Sequence, residues 1–531
     1  MKDPKATNET TDAYDSIEWL VKNIPNNNGK VGMWGVSYDG LTTALTLLHP
    51  HTALKAISEQ ASPVDQWMND DDHRYGALRE SYNFEYDVLE QADKNKNTHF
   101  EFETYDTYQW YLDLGPVSNI NDKYLHGSIP YWNSNVEHPD YDEFWKKEAW
   151  VRQLHSSSVP NLNVAGFWDQ EDPWGPWQIF RHSLESDPEH TSLMVAGPWF
   201  HGQWQSPKGD YIGQVQFGGH ETAREFRENL EAPFFRYYLH GKGEKPQWQA
   251  TMFQSGSNQW RTYAVWPPKE AKPTKLYLHA DGTLSFKAPA PGELQRESGI
   301  PRVRVGSGEP GALSHAADFA DVSGRRLANV GNGGSEICRS PARRALVREP
   351  AARSRRDRDG DGCQHTLIAS TSGTDSDFVV KLIDVYPENA QKSAWNEEDG
   401  PKPGEYAQSL NGYQLPVAME VRRGRYLTSN EKPHALMPNK PTEWKVPLRD
   451  HDHVFLKGHR IMVQVQSTWF PVIDRNPQKF VPSIYKAGAA DFVKATQRVY
   501  CSPGMASYVE LPVRESRGFS ESPELGGSHA E

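Results

Sequence analysis

The chain has 531 residues, with 70 acidic side chains against 57 basic ones and a formal net charge of −13. This length predicts about two to four domains, and the negative charge argues against nucleic acid or an anionic membrane as the main partner. The three cysteines form neither a disulfide framework nor a metal-type spacing, and no apolar run approaches the roughly 20 residues of a membrane span.

The first elements alternate between helix and strand. Apolar residues at helical spacing predict an amphipathic helix over residues 12–24, with Thr11 as its cap, and Pro25 ends it. Residues 31–34 and 53–58 each predict a buried strand, with a helical pattern between them. This alternation is typical of a parallel sheet covered by helices on both faces.

The motif Gly35-Val36-Ser37-Tyr38-Asp39-Gly40 connects the first predicted strand to the next helix. A serine between two glycines in a strand–turn–helix context is typical of a nucleophile elbow, although the last glycine comes one place later than in the usual G-x-S-x-G. We therefore predict that Ser37 is a nucleophile and that the backbone N–H of Tyr38 is one oxyanion donor. No pattern identifies a second donor.

The rest of the chain predicts three further regions. A stretch rich in Trp, Tyr, Asp and Glu predicts a helical cap over residues 66–156, between two parts of an α/β-hydrolase domain at 1–65 and 157–266. In the second part, strands at 162–167 and 192–197 precede a helical stretch at 221–239. Residues 267–513 predict a jelly-roll β-sandwich, with strands at 275–278, 284–286, 378–385, 460–466 and 508–513.

Residues 301–370 differ from the rest of the chain in composition. They contain twelve arginines, no lysine and one aromatic residue, Phe319. We interpret the segment as a translated frameshift; the alternatives are a disordered insert or a basic nucleic-acid or targeting patch. Asp357, Asp359 and Asp361 resemble the start of an EF-hand loop, but Ile368 occupies the position of the last ligand, which argues against calcium.

A serine nucleophile needs a base and an orienting carboxylate, which in this sheet type follow later strands in the order Ser, Asp or Glu, His. The loops after the strands at 162–167 and 192–197 supply Asp169 and His201. Each alone is also consistent with an ordinary loop residue. Together with Ser37 they predict a catalytic triad, in which Asp169 orients His201 and His201 activates Ser37.

Glu171 and Asp172 follow Asp169 directly, and residues 70–72 at the start of the cap add three more acids. Such a cluster beside the nucleophile favours a substrate with a cationic group on its acyl side, for example an α-ammonium. The alternative is that these acids are exposed loop charges or cap the first helix of the cap region.

These motifs resemble those of α-amino acid ester hydrolases, which are related to cocaine esterase, glutaryl acylases and X-Pro dipeptidyl-peptidases. The resemblance is carried by the elbow, by residues 166–175 (GFWDQEDPWG) and by residues 197–201 (GPWFH). It implies an α/β-hydrolase domain with a helical cap and a C-terminal jelly roll, and an acyl-serine enzyme without a metal or cofactor. By resemblance, the triad comprises Ser37, Asp169 and His201, and the α-ammonium site comprises Asp71, with Asp70 as the alternative, Glu171 and Asp172.

The resemblance implies small ester or amide substrates with an α-amino group, acyl transfer to β-lactam nuclei, a homo-oligomer, and a periplasmic or secreted location. It also implies a longer N-terminal segment with the first strands and a tyrosine as the second oxyanion donor, so we expect this chain to be truncated. The alternatives are an X-Pro dipeptidyl-peptidase, a general carboxylesterase, or an inactive fragment that binds a ligand through its jelly roll.

Overall fold

A computed structural model describes residues 8–90, 100–154, 157–184, 187, 191–290, 363–390 and 410–514, with four short strands between 317 and 347. Its first half is built on one six-stranded sheet, in which the strands follow chain order from one edge to the other. The first five strands are parallel and the sixth is antiparallel to the fifth. They are β1 (Val31–Val36), β2 (Leu54–Gln60), β3 (Asn161–Gly166), β4 (Ser192–Gly197), β5 (Ala250–Gln254) and β6 (Gln259–Tyr263).

Helices cover this sheet and form the cap. None of the described helices is both long and apolar enough to cross a membrane. They are α1 (Glu9–Asn23), α2 (Tyr38–Leu45), α3 (Glu80–Glu90), α4 (Thr107–Leu114), α5 (Pro130–Glu137), α6 (Glu143–Glu148), α7 (Gly175–Leu184), α8 (Thr222–Phe226) and α9 (Ala232–His240), with shorter 3₁₀ or π turns at Thr46–Leu48, Ile120–Leu125, Trp150–Gln153, Gln203–Gln205, Arg227–Glu231, Gly424–Tyr426, Ile484–Lys486 and Ala489–Asp491.

The first helix starts earlier than the sequence predicts. Asn8, not Thr11, is its N-cap: the Asn8 side chain accepts from the backbone N–H of Thr11 at 3.1 Å, and the Thr11 hydroxyl accepts from the backbone N–H of Asn8 at 3.2 Å. This reciprocal capping box satisfies two helix-end donors at once, which a threonine cap at residue 11 would not do. The prediction of Thr11 as the cap is therefore wrong.

The cap is mostly helical, as predicted, and contains α3 to α6. It opens with a two-strand hairpin, His73–Arg74 paired with Ala77–Leu78. The aromatic residues that gave this stretch its composition form its core, where Phe84 stacks on Trp110 with ring centroids 5.6 Å apart. The cap therefore has a hydrophobic core that it shares with residues of the second half, among them Phe470 and Tyr485, and it can position side chains above the ends of the sheet.

The second half is a sandwich of two sheets, of eight and four strands. Its core is apolar and includes Phe378, Trp444 and Val509. The strands of this half are β7 (Lys272–Leu278), β8 (Leu284–Ser285), β9 (Cys363–Thr371), β10 (Asp377–Val385), β11 (Gln414–Arg423), β12 (Thr442–Leu448), β13 (His453–Val454), β14 (Arg460–Gln466), β15 (Gln497–Val499) and β16 (Tyr508–Arg514), with further short strands at Ala317–Asp318, Ala328–Asn329, Glu336–Pro341, Leu346–Val347, Cys501–Ser502 and Met505–Ala506. A separate short hairpin, Tyr211–Ile212 paired with Val215–Gln216, belongs to the first half.

Most of the arginine-rich segment 301–370 lies outside the described residues, including the EF-hand-like Asp357, Asp359 and Asp361. Its last residues are described, because β9 pairs antiparallel with β12, β15 and β16. Leu367 and Ala369 of β9 are buried in the core of the sandwich. The sandwich pattern therefore resumes within the segment, a few residues before its predicted end.

Candidate active site

The turn between β1 and α2 holds Ser37 in a strained conformation. Its φ of 62° and ψ of −126° lie outside the regions that a side chain normally permits. A β-carbon at Gly35 would come within 2.3 Å of the Asp39 carbonyl oxygen, and one at Gly40 within 2.6 Å of the Gln60 carbonyl oxygen. Gly40 therefore lets α2 approach β2 closely, which explains why the second glycine lies one place later than usual.

A cavity of about 220 Å³ opens beside Ser37. Its wall includes four carboxyl groups, those of Asp71, Asp72, Asp87 and Glu171, in addition to Ser37 itself. The backbone N–H of Ser37 donates to the Gln60 carbonyl at 2.9 Å, which fixes the turn to β2. The serine hydroxyl thus shares a small and strongly acidic cavity.

Asp169 and His201 form a close pair at the ends of β3 and β4. His201 Nδ1 lies 2.9 Å from Asp169 Oδ2. The other oxygen of Asp169 accepts from the backbone N–H groups of Glu171 at 2.8 Å and Asp172 at 3.2 Å. Burial alone would raise the pKa of Asp169, but His201 and these N–H groups outweigh it and lower that pKa. Asp169 is therefore an ionised carboxylate that holds one edge of the imidazole.

The pair is positioned by backbone contacts between its two loops. The N–H of Phe167 donates to the Gly197 carbonyl at 2.9 Å, and the N–H of Trp168 donates to the Trp199 carbonyl at 3.0 Å. Parallel strands that end together bring such loops to one edge of the sheet. The predicted proximity of Asp169 and His201 follows directly from this pairing of β3 with β4.

The second imidazole nitrogen faces more acid. His201 Nε2 lies 3.7 Å from Glu171 Oε1. Burial lowers the pKa of His201, but Asp169, Glu171 and Asp71 outweigh it and raise the pKa to about 9. Below that pH the imidazole is protonated and cannot accept a proton, so catalysis that uses His201 as a base is expected to increase as the pH rises toward 9.

Replacing Glu171 with Gln is expected to lower the pKa of His201, because the substitution removes a negative charge 3.7 Å from Nε2. The acidic limb of the kcat/KM profile should then move to lower pH. An NMR titration of the His201 Cε1–H signal, assigned with His201→Gln, measures the pKa directly. Glu143→Gln, on the exposed face of the cap, is the control; an unchanged His201 pKa in Glu171→Gln would contradict the assignment.

Two acids and the imidazole converge at one point. Glu171, Asp172 and His201 each offer an atom within 4.8 Å of the others. Asp172 is 1% exposed, and its Oδ1 has no hydrogen-bond partner among the described residues. Burial and the neighbouring carboxyl groups raise the pKa values of Glu171 and Asp172. Such a group of atoms can hold either a metal ion or an organic cation.

The first acids of the cap differ in their surroundings. Asp70 is fully buried, and its Oδ2 accepts from the backbone N–H groups of Val64 at 2.8 Å and Asp65 at 2.7 Å. Asp71 instead lines the cavity, where its Oδ2 accepts from Gln66 Nε2 at 3.1 Å. Of the two positions that the sequence left open, Asp71 is therefore the one beside Ser37 and Glu171.

Three arginines that no sequence pattern identified hold the loop that carries these acids. Arg449, which follows β12 of the sandwich, donates to the Asp169 carbonyl at 2.8 Å. Arg74 and Arg79, from the cap, both donate to the Gln170 carbonyl, and Arg79 also donates to the Glu171 carbonyl at 3.1 Å. The cap and the sandwich therefore both fix the acidic loop, although neither contributes to the sheet.

The structure brings most of the predicted site residues together. Asp169 is paired with His201, an atom each of Glu171, Asp172 and His201 lies within 4.8 Å of the others, and Asp71 and Glu171 share the cavity with Ser37. Among the described hydrogen bonds, none joins Ser37 Oγ to His201. Catalytic hydrogen bonds of this kind often tighten only when substrate is bound.

Tyr38 is the first residue of α2, where a backbone N–H has no partner within the helix. Its side chain turns away to α1, and its hydroxyl donates to Glu9 Oε1 at 2.9 Å. The N–H adjacent to Ser37 therefore lies at the start of the helix, and its role as an oxyanion donor stays a prediction. The described residues do not identify a second donor.

Comparison with known proteins gives matches over most of the chain. The sequence model of the X-Pro dipeptidyl-peptidase (S15) family matches residues 1–203, and that of the X-Pro dipeptidyl-peptidase C-terminal non-catalytic domain matches residues 363–510. Cocaine esterase from Rhodococcus sp. (strain MB1 Bresler) is 24% identical over 538 residues, which cover 95% of this chain and 84% of the esterase.

Two solved structures resemble the whole fold. An α-amino acid ester hydrolase is 33% identical with a TM-score of 0.81, and the match covers 96% of this chain and 81% of the hydrolase. An aminopeptidase from a marine sediment archaeon, Thaumarchaeota archaeon, is 32% identical with a TM-score of 0.81, covering 96% of this chain and 80% of the aminopeptidase. Both likenesses include the hydrolase sheet, the cap and the sandwich.

Proposed function

Because this chain belongs to the X-Pro dipeptidyl-peptidase (S15) family of serine hydrolases, which includes cocaine esterase and α-amino acid ester hydrolases, we propose that it hydrolyses esters and amides of α-amino acids through an acyl-Ser37 intermediate. The coarser activity, a serine hydrolase of esters or peptides, follows from the family. The substrate class and the roles of the residues are our proposal.

In the proposed reaction, Ser37 Oγ attacks the acyl carbon while His201 Nε2 accepts its proton. Asp169 accepts the hydrogen bond from His201 Nδ1–H and stabilises the imidazolium that forms. The backbone N–H of Tyr38 donates to the developing oxyanion. His201 then returns the proton to the leaving group, and water or an amine releases the acyl group by the same steps.

The observation that carries the substrate class is the closeness of buried carboxyl groups to the imidazole. Glu171, Asp172 and His201 each offer an atom within 4.8 Å of the others, and Asp71 lines the cavity beside Ser37. Buried carboxylates need a cationic partner, which the α-ammonium of an amino acid ester would provide. A metal ion could use the same atoms, but coordination by His201 Nε2 would prevent that nitrogen from accepting the proton of Ser37.

A bound ammonium would also prepare the base. The carboxylates around His201 raise its pKa to about 9, so the imidazole holds a proton at neutral pH. A cation among Asp71, Glu171 and Asp172 offsets these charges and lowers that pKa. Substrates with an α-ammonium would therefore both bind more tightly and meet a neutral base.

We expect kcat/KM for phenylglycine methyl ester to exceed that for phenylacetic acid methyl ester, which lacks only the amino group, by roughly 10²–10³-fold, because the latter leaves buried charge without a partner. Asp71→Asn should reduce this ratio at least tenfold, mainly by slowing turnover of the amino ester. Asp113→Asn, an exposed acid on α4, is the matched control. Equal turnover of the two esters would contradict the ammonium site.

The family match also favours a second candidate, an X-Pro dipeptidyl-peptidase. The two activities differ in the length of the acyl group, because a dipeptidyl-peptidase places proline next to the scissile bond and the ammonium one residue further away. Comparing alanine 4-nitroanilide with alanyl-proline 4-nitroanilide separates them. Faster turnover of the dipeptidyl substrate would favour the second candidate.

A further inference from the structure

A second pair of acids lines the cavity that Ser37, Asp71 and Glu171 share. Asp72 and Asp87 line the same cavity of about 220 Å³ as Ser37 and Glu171. Both come from the cap, Asp72 from the loop before its hairpin and Asp87 from α3. Each side chain is 1% exposed. The triad chemistry uses neither of them.

Asp72 is held in place by the cap. Its Oδ1 accepts from Asn135 Nδ2 at 3.0 Å and from Asn83 Nδ2, and its Oδ2 accepts from the Tyr131 hydroxyl at 3.1 Å. Three neutral donors fix the orientation of the carboxyl group but bring no positive charge to it. Asp72 is therefore a preoriented acceptor at the cavity wall.

Asp87 is the less satisfied member of the pair. Its Oδ2 is buried and has no hydrogen-bond partner among the described residues. The ionisable groups that act on it are Asp72 and Asp71, and both are acids. Burial and these neighbours raise the pKa of Asp87 to about 9 and that of Asp72 to about 8. A buried acceptor without a donor costs free energy, which a donor from a ligand would recover.

We infer that Asp72 and Asp87 form a second cation subsite, which binds the basic side chain of the acyl group. This inference rests on the proposed function and makes lysyl, ornithyl and arginyl esters or amides the preferred substrates. With the acyl carbon at Ser37, the α-ammonium would bind at Asp71, Glu171 and Asp172. The side chain would extend along Tyr86 and Tyr131, which also line the cavity, to Asp72 and Asp87.

The test compares lysine 4-nitroanilide with norleucine 4-nitroanilide, which has the same aliphatic chain without the ε-ammonium. We expect the wild-type kcat/KM to favour the lysyl substrate by about 10–10²-fold, the range for hydrogen bonds to a buried charge. Asp87→Asn should abolish this preference and leave the norleucyl rate within a few-fold. Glu85→Gln, on the same helix but exposed, should retain the preference.

The outcomes separate this inference from the proposed function. A wild-type enzyme that cleaves norleucyl substrate as fast as lysyl substrate, or an Asp87→Asn variant that keeps the lysyl preference, would overturn the second subsite alone. A third outcome would also overturn the second subsite: the wild type cleaves glycyl-norleucine 4-nitroanilide faster than lysine 4-nitroanilide, and Asp87→Asn loses that preference. Asp87 would then bind the N-terminus of a dipeptidyl substrate. If no aminoacyl substrate were turned over, the proposed function would fail together with this inference.

Discussion

Ser37→Ala is expected to lower kcat for amino acid esters by ~10⁴–10⁶-fold, because no other group can form the acyl intermediate at that point. The elbow positions this single hydroxyl on the cavity wall through a strained backbone, with φ at 62°. Alanine fits the same turn with less volume, so the fold should be retained. Circular dichroism and the unfolding midpoint check this.

A fluorophosphonate probe provides the second measurement for Ser37. We expect one covalent adduct per chain in the wild type, located by peptide mass spectrometry on the peptide that contains Ser37, and none in Ser37→Ala. Ser16→Ala, an exposed serine on α1, is the control and should label fully. Labelling of a different serine, or retained ester hydrolysis in Ser37→Ala, would show that the nucleophile had been assigned incorrectly.

The hydrolase sheet could be predicted from the sequence because its buried parallel strands form continuous apolar runs. β4 begins and ends at the predicted residues, and β3 differs by one residue at each end. Given the order of Ser37, Asp169 and His201 along the chain, the prediction that their loops lie close together required only the rule that loops after parallel strands meet at one edge of the sheet. The start of α1 was missed because two residues, Asn8 and Thr11, cap it jointly.

The tertiary contacts around the site could not be predicted in this way. Arg449 and Asp169 are 280 residues apart, and an arginine that follows a sandwich strand looks like an ordinary charged surface residue. Asp87 likewise looks like a polar position on an amphipathic helix, although it is buried in the cavity wall. In both cases the signal lies in the packing of one domain on another, which no local pattern contains.

The same contacts give the sandwich a role near the reacting groups. Arg449 contacts the backbone of Asp169, the proposed triad acid, and the carboxylate of Glu420 of β11 lies 3.6 Å from Arg449 Nε. The cap arginines hold the two residues that follow Asp169 along the loop. The position of Asp169 is thus determined by three parts of the chain, which makes this carboxylate the most informative residue to change.

Asp169→Asn is expected to lower kcat by ~10⁴-fold, because it forces the wrong tautomer on His201. Oδ1 of Asp169 accepts two backbone N–H bonds, from Glu171 and Asp172, so this position must remain an oxygen. The amide nitrogen of asparagine must then face His201 Nδ1, 2.9 Å away in the wild type. Donation to Nδ1 places the imidazole proton on Nε2, the nitrogen that has to accept the proton of Ser37.

Nitrogen-15 NMR of His201 distinguishes this tautomer effect from a loss of structure. We expect the wild-type imidazole at pH above 9 to carry its proton on Nδ1, and that of Asp169→Asn to carry it on Nε2. Asp113→Asn serves as the control for the loss of one acid and should leave both kcat and the tautomer unchanged. If Asp169→Asn retained kcat within tenfold, Glu171, whose carboxylate lies 3.7 Å from Nε2, would become the candidate for the orienting acid, and the imidazole would have to act through Nδ1.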